Sequence, residues 1–577
     1  MNPNGAIIVQ SNLEILVEVH NPNYESARDA IAPFTELVKS PEHLHTYRIS
    51  HLSLWNAAAT GLKATDIVER LENESKYPVP GTVITEIEEY MNRYGLLRLV
   101  KEGNDLILET DDALAFLEII KFKEVAPFIL KQLSDKKAVV DASMRGHLKM
   151  ALTNAGFPVE DLAGYTFGDP LPINLREETL SGKLFKLRDY QKEAAQIFYA
   201  SGSEKGGSGV IVLPCGSGKT VIGMAAMALL QTKTLILTPN ISASRQWIRE
   251  IIDKTTLTID QVKEYSGEVK EIGPVTVATY QILTQRKRSK KDSEKEEETE
   301  KELSNFPLFS EEHWGLMIYD EVHLLPAPVF RLSTEMQATR RLGLTATLIR
   351  EDGKETEVFS LIGPKKFDIP WRVLESQGWI AKAECKELRI PMDAETKMKY
   401  ALAPMREKIV IASVNAAKEE IVGKLLGYHS GESDRVLIIG QYIEQLESLS
   451  KKLNIPLITG KTPNKERDNL YAAFRAGTLK NLMISKVGNF AIDLPDANVL
   501  IQISGTFGSR QEEAQRLGRV LRPKSDGGSA HFYSIVTQDS REQEFAMNRQ
   551  LFLTEQGYAY KILKRGDWDV IARVPIT

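Results

Sequence analysis

The fold is decided by the stretch GVIVLPCGSGKT, which occupies residues 209–220. Its apolar first half is typical of a buried strand, and a helix-like apolar run begins at Val221. Glycines let backbone N–H groups close around a polyphosphate, the lysine reaches its outer phosphates, and the threonine hydroxyl can ligate Mg²⁺. Phosphate loops usually have glycine where this chain has Leu213, so the prediction depends on the GSGKT core. The candidate phosphate-binding residues are Gly216, Ser217, Gly218, Lys219 and Thr220.

A glycine loop that merely contains a lysine is the alternative interpretation, and a second motif disfavours it. The stretch LMIYDEVH, residues 316–323, predicts a short apolar strand that ends in an acidic pair. A carboxylate there can hold Mg²⁺ while its neighbour orients or deprotonates water, and Asp320 and Glu321 are the candidates. Strand-like runs at 234–238 and 275–279 separate the two motifs, as in one doubly wound nucleotide-binding domain. Together the motifs predict phosphoryl transfer to water.

A second strand–helix series begins after residue 435 and has no phosphate loop of its own. It contains QRLGRVLRP, residues 515–523, in which Gln515, Arg519 and Arg522 share one face of a predicted helix. An arginine supplied by a partner domain accelerates phosphoryl transfer, whereas a solvated arginine face is the alternative. The predicted fold class is α/β, with two tandem RecA-like doubly wound domains.

Composition argues against membrane proteins and against proteins that bind zinc or an iron–sulfur cluster. The chain has 577 residues, so we expect several domains, and it is 42% hydrophobic and 26% charged. No apolar stretch approaches the roughly 20 residues that span a bilayer, and the N-terminus lacks signal-peptide features, so no membrane partner and a cytoplasmic location are expected. Two cysteines, Cys215 and Cys385, cannot supply four thiolates, so neither zinc nor an iron–sulfur cluster is expected. The net charge of -5 neither indicates nor excludes nucleic acid.

The region before the first RecA-like domain, which we call the first lobe, is predicted to contain small α+β modules. Three helix-like runs followed by two strand-like runs indicate a winged-helix-like module within residues 1–110. The third helix carries Glu86, Glu88 and Glu89, which would repel phosphate, so a protein contact or a structural role is favoured over DNA reading. A Pro-containing boundary near 168–172 closes a second small module at 111–170.

The two lobes are then predicted at 171–381 and 382–577, with a helix-rich segment at about 392–428 in the second. The first lobe contains a charge-segregated insert, basic at 286–291 and acid-rich at 292–302. We expect this insert to be a solvated loop, with a DNA-contacting basic strip as the alternative.

The ordered motifs of the whole chain resemble the core of superfamily 2 helicases. They are LRDYQ (187–191), PCGSGKT (214–220), TPN (238–240), ATY (278–280), DEVH (320–323), TAT (345–347), SKVGNFAIDLP (485–495) and QRLGRVLRP (515–523). The spellings are similar to those of the XPB family of DNA repair and transcription helicases, above all DEVH, LGLTATLIRED (342–352), ANVLIQIS (497–504) and GSRQEEAQRLGRVLR (508–522). The resemblance extends from about Arg188 to Tyr560, and the preceding region is similar to prokaryotic members, including their damage-recognition-like module.

This resemblance implies roles for individual residues. Arg188 and Gln191 would border the base, Asp320 and Thr220 would hold Mg²⁺, and Glu321 would polarise water. The expected remaining nucleotide-site residues are Gln515, Arg519 and Arg522; the DNA-contact or unwinding residues are Thr238, Thr279, Thr459, Arg350, Glu351 and Asp352; and the coupling residues are His323, Thr345, Thr347, Lys486 and Asp493. Residues 489–492 read NFAI where many relatives are more polar, which affects the expected ATP–DNA coupling there.

The function that the resemblance implies is an ATP-dependent 3′–5′ DNA helicase or double-strand DNA translocase of nucleotide excision-type repair. The implied cofactors are ATP and Mg²⁺, and the implied partners are single-stranded or forked DNA and a protein such as a structure-specific nuclease or repair factor, with a nucleoid-associated location. The alternative is an ATP-switched interaction platform that positions a partner without processive unwinding. The thumb-like motif of the family would fall in the helical segment 392–428.

Overall fold

The computed structural model describes most of the chain in two compact units. The described residues are 2–41, 43–214, 216–284, 312–325, 329, 334, 336, 339–348, 353–485, 497–505, 529–556, 558 and 560–564. The first unit comprises Met1–Glu36, Thr46–Leu213 and Gly218–Asp368, and the second comprises Leu37–His45, Pro214–Ser217 and Ile369–Thr577.

The N-terminal part of the chain begins with a small sheet and continues with helices. Its elements are β1 (Ile7–Val9), β2 (Glu14–Glu18), α1 (Tyr24–Ile31), β3 (Glu36–Lys39), β4 (Leu44–Arg48), α2 (His51–Ala59), α3 (Ala64–Glu74) and α4 (Gly81–Arg93). β1 pairs antiparallel with β2. A capping box between Ser50 and Ser53 fixes the start of α2, and α2, α3 and α4 are the three helices that the sequence predicts in this region.

The predicted hairpin forms, but it belongs to a larger sheet. The strands and helices of this region are β5 (Leu97–Glu102), β6 (Asp105–Thr110), α5 (Ala113–Ile119), β7 (Ile129–Gln132), β8 (Lys137–Val140), α6 (Arg145–Asn154) and β9 (Val159–Asp161). The sheet order is β7-β8-β6-β5-β9. Leu99, Leu108, Phe116 and Leu148 share one buried core. The predicted boundary between residues 110 and 111 therefore falls inside a continuous sheet.

The first RecA-like lobe is built on seven strands. They are β10 (Ser208–Val212), β11 (Thr234–Thr238), β12 (Val262–Tyr265), β13 (Val275–Thr279), β14 (Leu316–Asp320), β15 (Arg340–Thr345) and β16 (Lys365–Asp368). All pair in parallel, in the order β12-β13-β11-β14-β15-β10-β16. The helices are α7 (Asp189–Tyr199), α8 (Lys219–Leu230), α9 (Ile241–Lys254), α10 (Tyr280–Thr284) and α11 (Glu355–Leu361). The strand order reverses in the middle of the sheet, which opens a crevice at its carboxyl edge.

The second RecA-like lobe has a sheet of the same kind. Its strands are β17 (Ala383–Ile390), β18 (Val436–Ile439), β19 (Leu457–Ile458), β20 (Asn481–Ile484), β21 (Val499–Gln502), β22 (Ala530–Thr537) and β23 (Tyr560–Leu563). They pair in parallel in the order β19-β20-β18-β21-β22-β17-β23. The predicted fold class, with two doubly wound domains after small α+β modules, is confirmed.

Helices cover this second sheet and include the predicted helical segment. They are α12 (Trp371–Ser376), α13 (Ala394–Leu402), α14 (Met405–Ser413), α15 (Ala417–Tyr428), α16 (Ile443–Leu453), α17 (Asn464–Arg475) and α18 (Arg541–Glu555). Ile421, Val422 and Leu425 of α15 lie in the core of the lobe, whereas α13 buries no residue. The segment 392–428 is thus helical as expected, but its last helix is part of the lobe. No helix among the described residues is long and apolar enough to cross a membrane.

Candidate active site

The phosphate loop follows β10 and ends where α8 begins. Leu213, just after β10, donates its backbone N–H to the Thr345 carbonyl at 2.9 Å, which fixes the start of the loop beside the end of β15. Gly216 and Gly218 have φ values of +80° and +88°, which side chains with a Cβ rarely adopt. At Gly218 an added Cβ would also lie 2.5 Å from Nε2 of Gln191. Glycine is therefore required there by both backbone conformation and space.

The lysine of the loop faces the acidic pair. Lys219 is the first residue of α8, and its Nζ lies 3.5 Å from Oε1 of Glu321. Burial alone would raise the pKa of Glu321, but the Lys219 ammonium and the neighbouring His323 hold that pKa below its ordinary value. Glu321 is therefore an ionised carboxylate that lies against the Lys219 ammonium. Lys219 and the N-terminus of α8 together form a site that favours the negative charge of a phosphate.

The acidic pair leaves β14 through a strained turn. Glu321 has φ +50°, in the left-handed region that residues with a Cβ seldom occupy. Its Oε2 is buried and accepts no hydrogen bond within the described residues, although Nδ1 of His323 lies 3.5 Å away. An oxygen in this condition suits a role in binding water or a cation.

Asp320, at the end of β14, is held by two aromatic side chains. The indole Nε1 of Trp247 donates to its Oδ2 at 2.9 Å, and the Tyr280 hydroxyl donates to its backbone carbonyl at 2.7 Å. Burial and the adjacent Glu321 raise the pKa of Asp320 above its ordinary value. The two neighbouring carboxylates, together with the hydroxyl of Thr220 in the first turn of α8, are the kinds of oxygen ligand that Mg²⁺ prefers, so these residues fit that ion.

The residues expected to border the base lie next to the loop. Gln191 is buried in the first turn of α7, and its Oε1 accepts from the Arg188 backbone N–H at 3.0 Å. This bond turns the amide Nε2 toward Gly218. Arg188 donates to the Tyr190 hydroxyl at 3.0 Å. The structure thus brings Gln191 into the site and places Arg188 at its margin.

A hydrogen-bonded chain connects the acidic turn with the end of β15. His323 is buried, and its Nδ1 lies 2.7 Å from Oγ1 of Thr345. Oγ1 of Thr345 in turn bonds the Thr347 backbone, donating to its carbonyl at 2.6 Å. The three coupling residues predicted in this lobe therefore form one contiguous network.

The two threonines of the first lobe that are expected to contact DNA are buried. Thr238 is fully buried, and its hydroxyl lies 2.7 Å from that of Ser244, while Thr279 is 1% exposed. The assignment of Thr238 and Thr279 as DNA-contact residues stays a prediction. Thr459 is half-buried at the end of β19, and its hydroxyl accepts from the Lys461 backbone N–H at 3.2 Å.

Ser217 also has a local role. Its hydroxyl is buried and donates to the Pro214 carbonyl at 2.6 Å, which closes the loop on itself.

Several predicted site residues lie outside the described residues: Gln515, Arg519, Arg522, Lys486, Asp493, Arg350, Glu351 and Asp352, together with Cys215 and the insert 286–302. Their assignments stay predictions.

Sequence reasoning missed the two side chains that hold Asp320. Trp247 reads as an ordinary core residue of an amphipathic helix, and Tyr280 follows a predicted strand without a role of its own. A signal for Trp247 was present in Gly223, a glycine inside the apolar helix α8, because such a glycine often marks close packing.

Comparison with known families assigns most of the chain to helicase domains. A family described as "ERCC3/RAD25/XPB C-terminal helicase" matches residues 374–569. A type III restriction enzyme res subunit family matches residues 184–350, and a helicase conserved C-terminal domain family matches residues 7–134.

Comparison with individual proteins extends this likeness to nearly the full length. The chain is 50% identical over 564 residues to the "DNA 3'-5' helicase XPB" of Mycobacterium tuberculosis, covering 98% of both chains. It is 48% identical over 566 residues to the protein of the same name from Kineococcus radiotolerans, covering 98% of this chain and 97% of the other. It is 31% identical to the Saccharomyces cerevisiae "General transcription and DNA repair factor IIH helicase/translocase subunit XPB/SSL2", covering 96% of this chain and 72% of that one. The chain belongs to the XPB family of DNA helicases.

Proposed function

We propose that the protein couples ATP hydrolysis to 3′–5′ opening of DNA, or to translocation on duplex DNA, in nucleotide excision-type repair. The observation that carries the proposal is the placement of Lys219 Nζ 3.5 Å from Glu321, next to Asp320, at the carboxyl edge of a parallel sheet. That is where doubly wound sheets bind nucleotides. The polarity is supported by the names of the two bacterial relatives.

Each residue of the site has a distinct task in this proposal. Lys219 and the N-terminus of α8 bind the outer phosphates of ATP, and the glycines let the backbone approach them. Glu321 orients the attacking water and accepts its proton, because it is kept ionised beside Lys219. Asp320 and Thr220 would hold Mg²⁺, which supplies charge neutralisation at the phosphate oxygens when bound. Arg519 and Arg522 are proposed to complete the site.

The network from Glu321 to Thr347 offers a way to report the state of the nucleotide. His323 lies within 3.5 Å of Glu321 and 2.7 Å of Thr345, so a change at the carboxylate alters the bonding at the end of β15. Arg350, Glu351 and Asp352 follow directly in sequence and are proposed to act in strand separation. The DNA contacts are proposed to come from the backbone near Thr238 and Thr279 and from Thr459.

The proposal is tested by ATP turnover with and without DNA. We expect forked duplex DNA to stimulate hydrolysis, and a fork with a 3′ single-stranded arm to be opened in preference to one with a 5′ arm. Hydrolysis that no DNA stimulates, together with tight binding of a protein partner, would instead support an interaction platform. A pull-down from the native host would identify the nuclease or repair factor that we propose as partner.

A further inference from the structure

Trp247 is the one described side chain whose ring nitrogen bonds the carboxylate of Asp320. It lies on α9, which follows β11, the strand next to β14 in the sheet. The residue is 1% exposed, and its Nε1 donates to Oδ2 of Asp320 at 2.9 Å. A hydrogen bond from a neutral donor to a buried carboxylate is strong and fixes the rotamer of the acceptor.

The same ring also contacts the helix that carries the phosphate-binding lysine. A Cβ at Gly223 of α8 would lie 2.5 Å from Cη2 and 3.1 Å from Cζ3 of Trp247. The distal edge of the indole thus fills the space that a side chain at position 223 would occupy. One ring therefore connects α8, which begins at Lys219, with the acidic end of β14.

Packing alone does not explain a tryptophan at this position. A phenylalanine or leucine would also bury apolar surface at this position, but it has no donor for a carboxylate inside the protein. Both ends of the indole are used: the nitrogen by Asp320 and the distal ring by Gly223. Geometry of this kind is typical of residues that orient a metal ligand from behind.

We propose that Trp247 is a positioning residue that holds the Asp320 carboxylate in the orientation needed for Mg²⁺, and that ties this orientation to the helix bearing Lys219. The inference rests on the proposed function, because it assigns Mg²⁺ to Asp320. It goes beyond that function by adding a residue that acts through Asp320. Loss of the indole N–H then lowers the apparent affinity for Mg²⁺ more than it lowers the affinity for nucleotide without metal.

The test compares wild-type protein with Trp247→Phe, which keeps an aromatic ring but removes the N–H. Binding of ADP is measured by calorimetry across a Mg²⁺ titration, first without the metal and then with it. We expect the Mg²⁺ concentration that gives half of the affinity gain to rise roughly tenfold, as for loss of one hydrogen bond to a charged group. The affinity for ADP without metal should stay within about twofold of the wild-type value, because Trp247 is not one of the residues proposed to bind phosphate.

A second variant separates the lost donor from the lost volume. Trp247→Phe combined with Gly223→Ala places a methyl group 2.5 Å from the former position of Cη2, so it fills part of the lost volume while the N–H remains absent. We expect the double variant to regain thermal stability but keep the raised Mg²⁺ requirement. Ile251→Val, a buried change on the same helix, is the matched control and should lower stability without altering Mg²⁺ dependence.

The outcomes distinguish the two proposals. If Mg²⁺ dependence in Trp247→Phe equals that of wild type, or returns together with stability in the double variant, Trp247 is only a packing residue. If the wild-type protein itself binds no nucleotide and hydrolyses no ATP, the proposed function fails and the role of Trp247 fails with it. A Trp247→Phe variant that does not fold by circular dichroism is replaced by the double variant in the same titration.

Discussion

At the scale of single residues, the site depends on conformations that only a few side chains tolerate. Gly216 and Gly218 adopt positive φ in the loop, and Glu321 adopts one at the acidic turn. Strain of about 1–3 kcal/mol at a residue such as Glu321 persists only where surrounding contacts enforce it. Here the enforcing contacts are the Lys219 ammonium and the two bonds that hold Asp320.

Replacing Lys219 and Glu321 should separate binding from chemistry. Lys219→Ala removes a phosphate-facing charge and is expected to weaken ATP binding at least tenfold, as for a charge-assisted hydrogen bond. Glu321→Gln keeps the shape and is expected to bind ATP normally but to lose about 10²-fold or more in turnover, because the base is gone. Both quantities are measured by calorimetry and phosphate release. Near wild-type turnover of Glu321→Gln would show that the carboxylate is not the base.

Gly218→Ala should abolish nucleotide binding through the loop geometry. The methyl group would meet Gln191 Nε2 at 2.5 Å, and the backbone would have to hold φ +88°. Gly61→Ala is a matched control, because Gly61 has φ +94° but no atom lies within 4 Å of the added Cβ. We expect the control to cost about 1 kcal/mol of stability without changing nucleotide affinity. Equal effects of both changes on binding would mean that strain, not the loop, is responsible.

At the scale of elements, the ends of β13 and β14, which lie on either side of β11 in the sheet, are linked at Asp320. β14 delivers Asp320 and Glu321, while β13 ends at Thr279 and is followed by Tyr280, whose hydroxyl reaches the Asp320 carbonyl. Thr279 belongs to a motif that we propose to lie near DNA. A DNA-dependent shift at the end of β13 therefore has a direct hydrogen bond through which to reach the acidic turn.

Tyr280→Phe should consequently weaken the response to DNA. Without the hydroxyl, we expect the stimulation of ATP hydrolysis by DNA to fall about fivefold, the value of one lost hydrogen bond of ~1 kcal/mol. Tyr319→Phe is the control, since its hydroxyl contacts Met317 Sδ at 3.7 Å in the same core. Turnover is measured at saturating ATP with and without forked DNA. If the ratio of turnover with DNA to turnover without DNA is unchanged in Tyr280→Phe, the hydrogen bond from Tyr280 to Asp320 does not transmit the response to DNA.

The second lobe contains a histidine that should make stability depend on pH. Burial, and then the neighbouring His531, lower the pKa of His429 to about 4, and its Nε2 lies 2.9 Å from the Tyr533 hydroxyl. The unfolded chain takes up this proton near the ordinary value of about 6.5, so the stability contribution is full above that pH and is lost as pH falls toward 4.

We therefore expect the melting temperature of the wild-type protein to fall between pH 6.5 and 4.5 more steeply than that of His429→Gln. The neutral amide does not titrate, so about 2 kcal/mol of pH-dependent stability should disappear from the variant. Parallel melting curves for His429→Gln and wild type would rule out His429 as the source.

At the scale of the whole molecule, the sequence predicts the fold class, with two doubly wound domains, but not the strand pairing in the small N-terminal sheet. Continuous apolar strands such as β11 and β13 are characteristic of parallel sheets, and the motifs fix their order. The pairing of β6 with β8 could not be predicted in this way, because alternation identifies a strand but not its neighbour. The role of Trp247 was equally hidden, since an apolar helix face predicts burial and not the polar atom that a ring nitrogen meets.

The charged insert, residues 286–302, lies in the sequence between β13 and β14 of the first lobe. Deleting residues 286–302 removes a segregated charge run with almost no apolar residues, so we expect folding and ATP turnover without DNA to stay within about twofold of wild type. Neutralising only the basic half, residues 286–291, to glutamine is the companion variant. A large loss of DNA affinity at low salt in both variants would show that the basic strip binds phosphate.

The five-stranded sheet decides how the chain can be divided. β6 lies between β8 and β5, so a cut after Thr110 leaves β8 with an exposed edge on one fragment and β6 with an exposed edge on the other. Unpaired edges of this kind recruit other strands and aggregate. A fragment meant to carry the N-terminal helices should therefore extend through Asp161, the last residue of β9, so that all five strands stay together.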